Sequence, residues 1–545
     1  MNRPSRATIS PRTVTTLGRR LPEPLRGALK AARDGVVQRQ VTRAGGEELA
    51  TVVGRTRGEL RRHLTDRMRT LLRALGHPVP AGSSQRLARA VEAALSDADA
   101  AQVWLALAVL TGQLPVDNDV VETHRRLRLD GPRCALSPVV ARSTSRLAAD
   151  RRRPARVEVL TGAVTVDLHH TSETELATGI QRVARETARR WDRDHQVELV
   201  GWTEDYTALR RLDPLSHRRA LGAHHRSDRV DPGQEQAAPT IVVPWGGIHL
   251  TVELATEEPR TMRMHALARF SNNRTGVIGF DCVPLTTAET VAEAMGGAFA
   301  RLLAAVRHMD RVATISESAA VEYRGWRAML TGAGLTGPDI ASVSLPVEAE
   351  EPAAAALAAA RSRFGLGSLP LVLCVGSHEP RKNHLAVLHA AELLWREGLE
   401  FSLVLVGGNA WNSERFTQVF TGLRDGGRPV QSISALSDEL LWAAYRIAHV
   451  VLFPSLNEGF GLPVAEALAS GTPVITSGYG SMAEIAEHGG ALLVDPRDDH
   501  DVAGALRRIL TEPALHAELA GQADRRHRRS WDTYAAELWD HLVVN

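Results

Sequence analysis

The sequence predicts an α/β protein of two doubly wound lobes in series, preceded by a helical segment. Three observations carry this. The length of 545 residues suits two or three domains, and 44% apolar residues supply their cores. From Leu371 onward, short apolar runs of strand character alternate regularly with amphipathic runs of helical spacing, which is the pattern of a parallel sheet with helices on both faces. Residues 156–348 repeat that alternation more loosely, whereas residues 1–155 show helical spacing alone.

Within 1–155, Leu60, Leu64, Met68, Leu71 and Leu72 fall at helical intervals, and "QRLARAVEAALSDADAAQVWLALAVLTG" continues the pattern. This stretch holds 28 basic and 14 acidic residues, an excess of +14 that leaves the rest of the chain at −12. We read it as a helical accessory extension, dispensable for chemistry. Most of its arginines are expected on solvated faces, with peripheral contact to an acidic membrane surface or a protein partner as the functional alternative and no nucleic acid expected.

Residues 156–348 form the expected N-terminal lobe. "VEVLTGAVTVDL" is strand-like, a polar loop runs to Gly179, and "IQRVARETARRW" is an amphipathic helix. Further buried strands are expected at 240–244, 276–280 and 312–315. "AEEPAAAALAAARSRFGLG" reads as a linker helix closed by glycines. The second lobe, 349–530, follows with "LVLCVG", "FSLVLVGG" and "HVVLFPS" as strands separated by helices. Residues 531–545 are a terminal helix expected to pack back on the N-terminal lobe.

Several classes are excluded or disfavoured. Cys134, Cys282 and Cys374 have no C-x-x-C spacing, so neither a disulfide framework nor a zinc site is indicated, and a cytoplasmic setting fits. The stretch from Ala100 to Val116 is uncharged but too short to span a bilayer, and "MNRPSRATISPRTVTTLGRR" lacks an apolar targeting core. No strand is followed by G-x-G-x-x-G, which removes a nicotinamide dehydrogenase.

Two segments carry chemistry. "FPSLNEGFGLPVAEALASGTPVI" leaves a buried strand, passes Glu458-Gly459-Phe460-Gly461 and enters a helix with Pro463 near its start. Its glycines allow close backbone approach and its helix start is an anion site. Glu458 and Glu466, eight apart, are expected in the loop and the first helical turn. "SHEPRKNH" holds Lys382, one of only two lysines among 65 basic residues.

Together these segments resemble the E-x7-E retaining nucleotide-sugar glycosyltransferases of family 4 (group 1), which have the GT-B fold of two Rossmann-like domains facing a cleft. The resemblance also takes in "LSDELLWAAYRIAHVVLFPS" and "SMAEIAEHGGALLVDPRD". It is strong over roughly 370–500, weaker over 157–345 and absent from 1–155. It implies that Lys382 contacts the donor diphosphate, with Arg381 as a second cation, that Glu458 contacts the donor sugar, and that Glu466 binds the ribose hydroxyls. Gly459, Phe460, Gly461 and Leu462 would cradle the sugar and phosphate, with Ser377 and Gly179 beside them.

Ser377 stands where many members have Arg, and Phe280-Asp281 where many have His-Asp, which leaves Asp281 as the catalytic candidate of that lobe. His169, His170 and Arg182 are acceptor-side or phosphate candidates. The resemblance implies a hexosyltransferase that uses a nucleotide-sugar donor and a glycan or lipid-linked acceptor and needs no cofactor. A non-catalytic sugar-nucleotide-binding scaffold is the alternative. "DND" at 117–119 has the D-x-D form of metal-dependent transferases of another fold, and we read it as a loop. No metal is expected, because two cations and a helix start would neutralise the leaving group.

Overall fold

The computed structural model describes residues 48–56, 58–150, 155–174, 178–222, 239–434, 436–525 and 529–544. The first 47 residues, which hold part of the basic excess, lie outside them.

The described strands form two sheets. The first has nine strands: β1 (Val157–Thr161), β2 (Val164–Asp167), β3 (Val197–Trp202), β4 (Leu209–Arg211), β5 (Ile241–Trp245), β6 (Ile248–Thr251), β7 (Arg274–Gly279), β8 (Arg311–Thr314) and β9 (Asp339–Ser342). Their order is β1-β5-β4-β3-β2-β6-β7-β8-β9, and β4 alone runs antiparallel to its neighbours. Strand β2 lies between β3 and β6, with Val166 beside Leu199 and Leu250. The order reverses there, so the loops leaving β2 and β6 diverge and open a crevice between them.

The second sheet contains β10 (Leu371–Val375), β11 (Ser402–Val406), β12 (Val430–Ile433), β13 (Val450–Phe453), β14 (Val474–Ser477) and β15 (Ala491–Val494), all parallel, in the order β12-β11-β10-β13-β14-β15. Runs such as "LVLCV" and "SLVLV" are almost wholly apolar because helices cover both faces. Here the reversal falls between β10 and β13, and these are the strands that lead into Lys382 and Glu458. The result is two Rossmann-like lobes facing each other, as the resemblance implies.

The helix expected to be a linker, Ala354–Phe364, is part of the second lobe. It packs on helix Asp438–Ile447, and the Gln431 side chain donates to Phe364 O at 2.6 Å. Helix Trp531–Trp539 lies on the N-terminal lobe's helix Gly179–Asp194. Trp191 Nε1 donates to Ala535 O at 3.0 Å, and the rings of His195 and Trp539 stack at 3.7 Å.

The helical segment departs most from expectation. Helix Ala100–Thr111 is apolar on every side, so no solvated face is available to it. Its Trp104 and Leu107, with Leu64, Met68 and Leu72 of helix Gly58–Ala74, share one core with Trp202, Ile241, Leu267 and Phe299 of the N-terminal lobe. Arg67 is buried, donating to Leu110 O at 3.2 Å and to Ala155 O at 3.1 Å. Residues 48–150 therefore complete the N-terminal lobe and are not a detachable accessory, because removing them would expose that core.

The "DND" element is helical as well, occupying the first turn of Asp117–Asp130. Asp117 accepts from Arg269 Nη1 at 2.7 Å, and Asp119 accepts from Val116 N at 3.4 Å. Both carboxylates serve a helix N-terminus and its attachment to the sheet domain. Among the described residues, no helix is long and apolar enough to cross a membrane.

Candidate active site

Lys382 ends a short turn, Pro380–Lys382, after β10. The turn is pinned by Asn383, at φ 56°, whose side chain donates to Pro454 O at 3.2 Å and Pro496 O at 2.7 Å. Asn tolerates this left-handed backbone better than most residues. Lys382 Nζ donates to Glu458 Oε1 at 2.6 Å and sits 5.0 Å from the centre of the Phe453 ring. Ser455 Oγ donates to the same carboxylate oxygen at 2.7 Å.

The other oxygen, Glu458 Oε2, meets Arg381 Nη1 at 2.6 Å. Arg381 also donates from Nη2 to Glu379 at 2.6 Å and from Nη1 to Asn457 O at 2.9 Å. Its terminal nitrogens are thus engaged within the lobe, so Arg381 clamps Glu458. Of the two cations, Lys382 keeps spare N–H groups for a ligand. Burial pushes the Glu458 carboxyl up, but Arg381 and Lys382 together outweigh it and hold the group at about 2.

Glu466 lies in the second turn of helix Leu462–Ala469, not the first as expected, because the helix starts at Leu462 with Gly461 as its cap. Gly461 has φ 99°, which a side chain would strain. Glu466 Oε2 accepts from Tyr445 OH at 2.8 Å, and Oε1 accepts from Arg182 Nη1 at 2.8 Å. Arg182 belongs to the opposite lobe. It therefore joins the two lobes at Glu466.

The lobes touch at this point. A Cβ on Gly459 would lie 2.4 Å from Phe280 O and 3.0 Å from Asp281 Oδ2, so only glycine permits that approach. A Cβ on Gly179 would come within 3.1 Å of Leu462. Ser316 Oγ donates to Gly459 O at 2.6 Å, and Glu484 accepts from the backbone N–H groups of Glu317 and Ser318 at 3.1 and 3.0 Å. Gly459 and Gly179 thus admit the partner lobe as much as a ligand. Phe460 is buried at the same seam, and Ser377 is partly exposed in the loop after β10. Asp281 accepts from Val283 N at 3.1 Å, and burial raises its carboxyl to about 6 against the pull of Arg381.

The two histidines part company. His169 is buried, its Nδ1 accepting from Trp202 N at 3.2 Å, and burial with the nearby Arg260 charge lowers it to about 4. A backbone donor on Nδ1 fixes the neutral form with its proton on Nε2. His170 remains accessible and pairs through Nε2 with Glu257 Oε1 at 2.7 Å, a hydrogen bond that raises its value.

Beneath them lies a network the sequence reading missed. Arg260 Nη2 donates to Asp167 Oδ2 and Glu253 Oε1, both at 2.9 Å, while Glu253 accepts from the N–H groups of His170 and Thr171 at 2.8 and 3.0 Å. The only signal in the sequence is "EEPR", which reads as the start of a helix. Tyr445 was equally hidden, because an aromatic in an amphipathic helix reads as core. Among the described residues, no group of three His, Cys, Asp or Glu is placed to hold a metal ion.

The chain is 30% identical over 251 residues to the serotype-specific mannosyltransferase WbdA of Escherichia coli, covering 44% of this chain and 29% of that protein. It is 35% identical over 197 residues to a D-inositol 3-phosphate glycosyltransferase of a Nocardioides strain, covering 33% of this chain and 43% of the relative. The matched stretch is thus less than half of either relative. The sucrose-phosphate synthase of Thermosynechococcus elongatus superposes with a TM-score of 0.51 at 19% identity, covering 69% of this chain and 97% of that one, which shows the shared GT-B fold. The model of the family described as glycosyl transferases group 1 matches residues 361–526, within the C-terminal lobe, and together with these relatives it supports a group 1 glycosyltransferase.

Proposed function

We propose that the protein is a retaining, metal-independent glycosyltransferase. It would move a sugar from a nucleoside diphosphate sugar to a hydroxyl of a glycan, lipid-linked saccharide or glycoside. The observation that carries this is the Lys382–Glu458–Arg381 cluster at the reversal between β10 and β13, facing the opposite lobe. Lys382 keeps N–H groups free to follow charge onto the departing diphosphate. Arg381 would act through Glu458, fixing the carboxylate that orders both Lys382 and the donor sugar.

Glu458, clamped by Lys382, Arg381 and Ser455, is a poor covalent nucleophile, which favours acceptor attack on the face the leaving group vacates. Asp281, at the seam with its carboxyl raised to about 6 by burial, would accept a hydrogen bond from a reacting hydroxyl. Relatives named as mannosyltransferases put a mannosyl donor first among candidates. The arginine-rich helical segment is the candidate contact for the cytoplasmic membrane face or a protein partner.

The test is incubation with labelled nucleotide sugars in water, with and without a chelator. Slow release of nucleoside diphosphate and of a sugar with retained anomeric configuration, insensitive to chelation, is expected. Binding of a nucleotide sugar with no hydrolysis and no transfer would leave the scaffold reading instead.

A further inference from the structure

We infer that Arg182 completes the nucleotide-binding site from the opposite lobe, holding Glu466 in the position and charge state that accept the donor's ribose hydroxyls. This rests on the ribose-binding reading of Glu466. It makes ribose recognition a property of the assembled cleft, and Arg182 a positioning residue.

The geometry is specific on three points. Each oxygen of the Glu466 carboxylate has one protein partner, Arg182 Nη1 on Oε1 and Tyr445 OH on Oε2, both at 2.8 Å. A carboxylate oxygen accepts two hydrogen bonds, so one place remains on each, which matches the two hydroxyls of a ribose diol. The guanidinium therefore need not leave for the ribose to bind.

Next, Glu466 is a buried carboxylate, and burial raises its value, with Arg182 the first group opposing the rise. A protonated carboxyl would offer fewer acceptor places, so the charge across the cleft preserves the recognition. Finally, the distance is set by packing. Gly179, three residues before Arg182, sits close against Leu462, where a Cβ would lie 3.1 Å from Leu462 Cδ1, and Leu462 begins the helix that carries Glu466. The two helices thus meet at Gly179 and Leu462, one turn from the Arg182–Glu466 pair.

The test uses the full-length protein and measures equilibrium binding of GDP, UDP and ADP, each beside its 2′,3′-dideoxy counterpart. Wild type, Arg182→Ala, Arg182→Lys and Glu466→Gln are compared for the preference between the two forms. Wild type should prefer the ribose form by about tenfold or more, from two hydrogen bonds to a charged acceptor. Glu466→Gln should remove most of that preference. Arg182→Ala should reduce it by roughly fivefold while leaving the dideoxy nucleotide bound within about twofold of wild type, and Arg182→Lys should restore part of it. A merely structural role would weaken both forms alike.

An Arg182→Ala protein that keeps the wild-type preference, or loses affinity equally for both forms, overturns the inference. If Arg182→Ala does not fold, Arg182→Lys decides by the same comparison. If wild type binds none of the nucleotides, or shows no preference, the reading of Glu466 itself falls and the inference with it.

Discussion

Both lobes place charged residues where their strand order reverses, yet the two clusters are built oppositely. In the N-terminal lobe, Asp167, Glu253 and Arg260 lie between β2 and β6 with the Arg260 side chain 0% exposed, sealed beneath His169 and His170. In the C-terminal lobe, Lys382, Arg381 and Glu458 lie between β10 and β13 with the lysine side chain 11% exposed. The first cluster has its charges paired with one another and with helix N–H groups, and its spare donor, Arg260 Nε, is buried. The second retains a cation with free donors. Position in the fold marks both as candidate sites, but which one can take a ligand depends on whether a spare donor is within a ligand's reach.

This contrast can be broken from its foundations. Helix Glu258–Phe270, which carries Arg260, packs against helices Ala100–Thr111 and Asp117–Asp130 of the helical segment. A chain lacking residues 1–150 is therefore expected to lose cooperative folding of the N-terminal lobe, read by thermal unfolding and by gel filtration. A monomeric product with a sharp transition would show that the sealed cluster does not depend on that support.

Next in size, Arg260→Ala leaves two buried carboxylates without their counter-charge and should cost on the order of 3–5 kcal/mol in denaturant unfolding. Whatever fraction remains folded should still bind nucleotide. Lys382→Ala should do the reverse, lowering turnover by on the order of 10² to 10³ with donor affinity less affected and the unfolding midpoint nearly unchanged. Lys382→Arg should recover only part of the activity, since Arg381 and Glu458 crowd the position. Equal losses of stability at the two sites would erase the distinction between them.

The smallest effect is a pH dependence, and it sharpens the contrast by window. His249 and His169 near the sealed cluster are held at about 4, and His384 beside the open one at about 3, in each case chiefly by burial. Their folded values lie below the unfolded value of about 6.5, so their contribution is full above that pH and is lost progressively as pH falls toward 4 and then 3. Glu257 and Glu458, held at about 2, contribute above about 4.5 and lose that contribution only below it. His170, raised by Glu257, acts in the opposite sense, stabilising below about 6.5 and losing that effect as pH rises through its folded value. Denaturant midpoints between pH 7.5 and 5 should fall on acidification, with His249→Gln flattening the decline. A rising midpoint over that range would mean that His170 dominates.

The C-terminal lobe was legible because its strands are buried on both faces and its loops keep chemistry-bearing residues close in sequence, as in Arg381-Lys382 and Glu458 to Glu466. The N-terminal lobe was less so. The spacing of Leu64, Met68 and Leu72 shows which helix face is buried but not what covers it, and the cover proved to be the sheet domain itself. Arg260 in a helix reads as a solvated charge, since nothing local reveals Asp167 ninety-three residues earlier. The Arg182–Glu466 contact joins residues 284 apart. Periodicity and capping are short-range signals, and such partners exist only after the lobes meet.

The return of helix Trp531–Trp539 to the first lobe has a mechanical meaning. The polypeptide passes between the lobes twice, once ahead of Ala354 and once ahead of Trp531, where Trp531 N donates to Glu348 at 2.8 Å. A rigid body tethered at one point can swing and twist freely, whereas one tethered at two keeps a single inexpensive rotation about the line joining them. Any opening of this cleft is then expected to be a book-like movement about that spine, with sliding and torsion resisted.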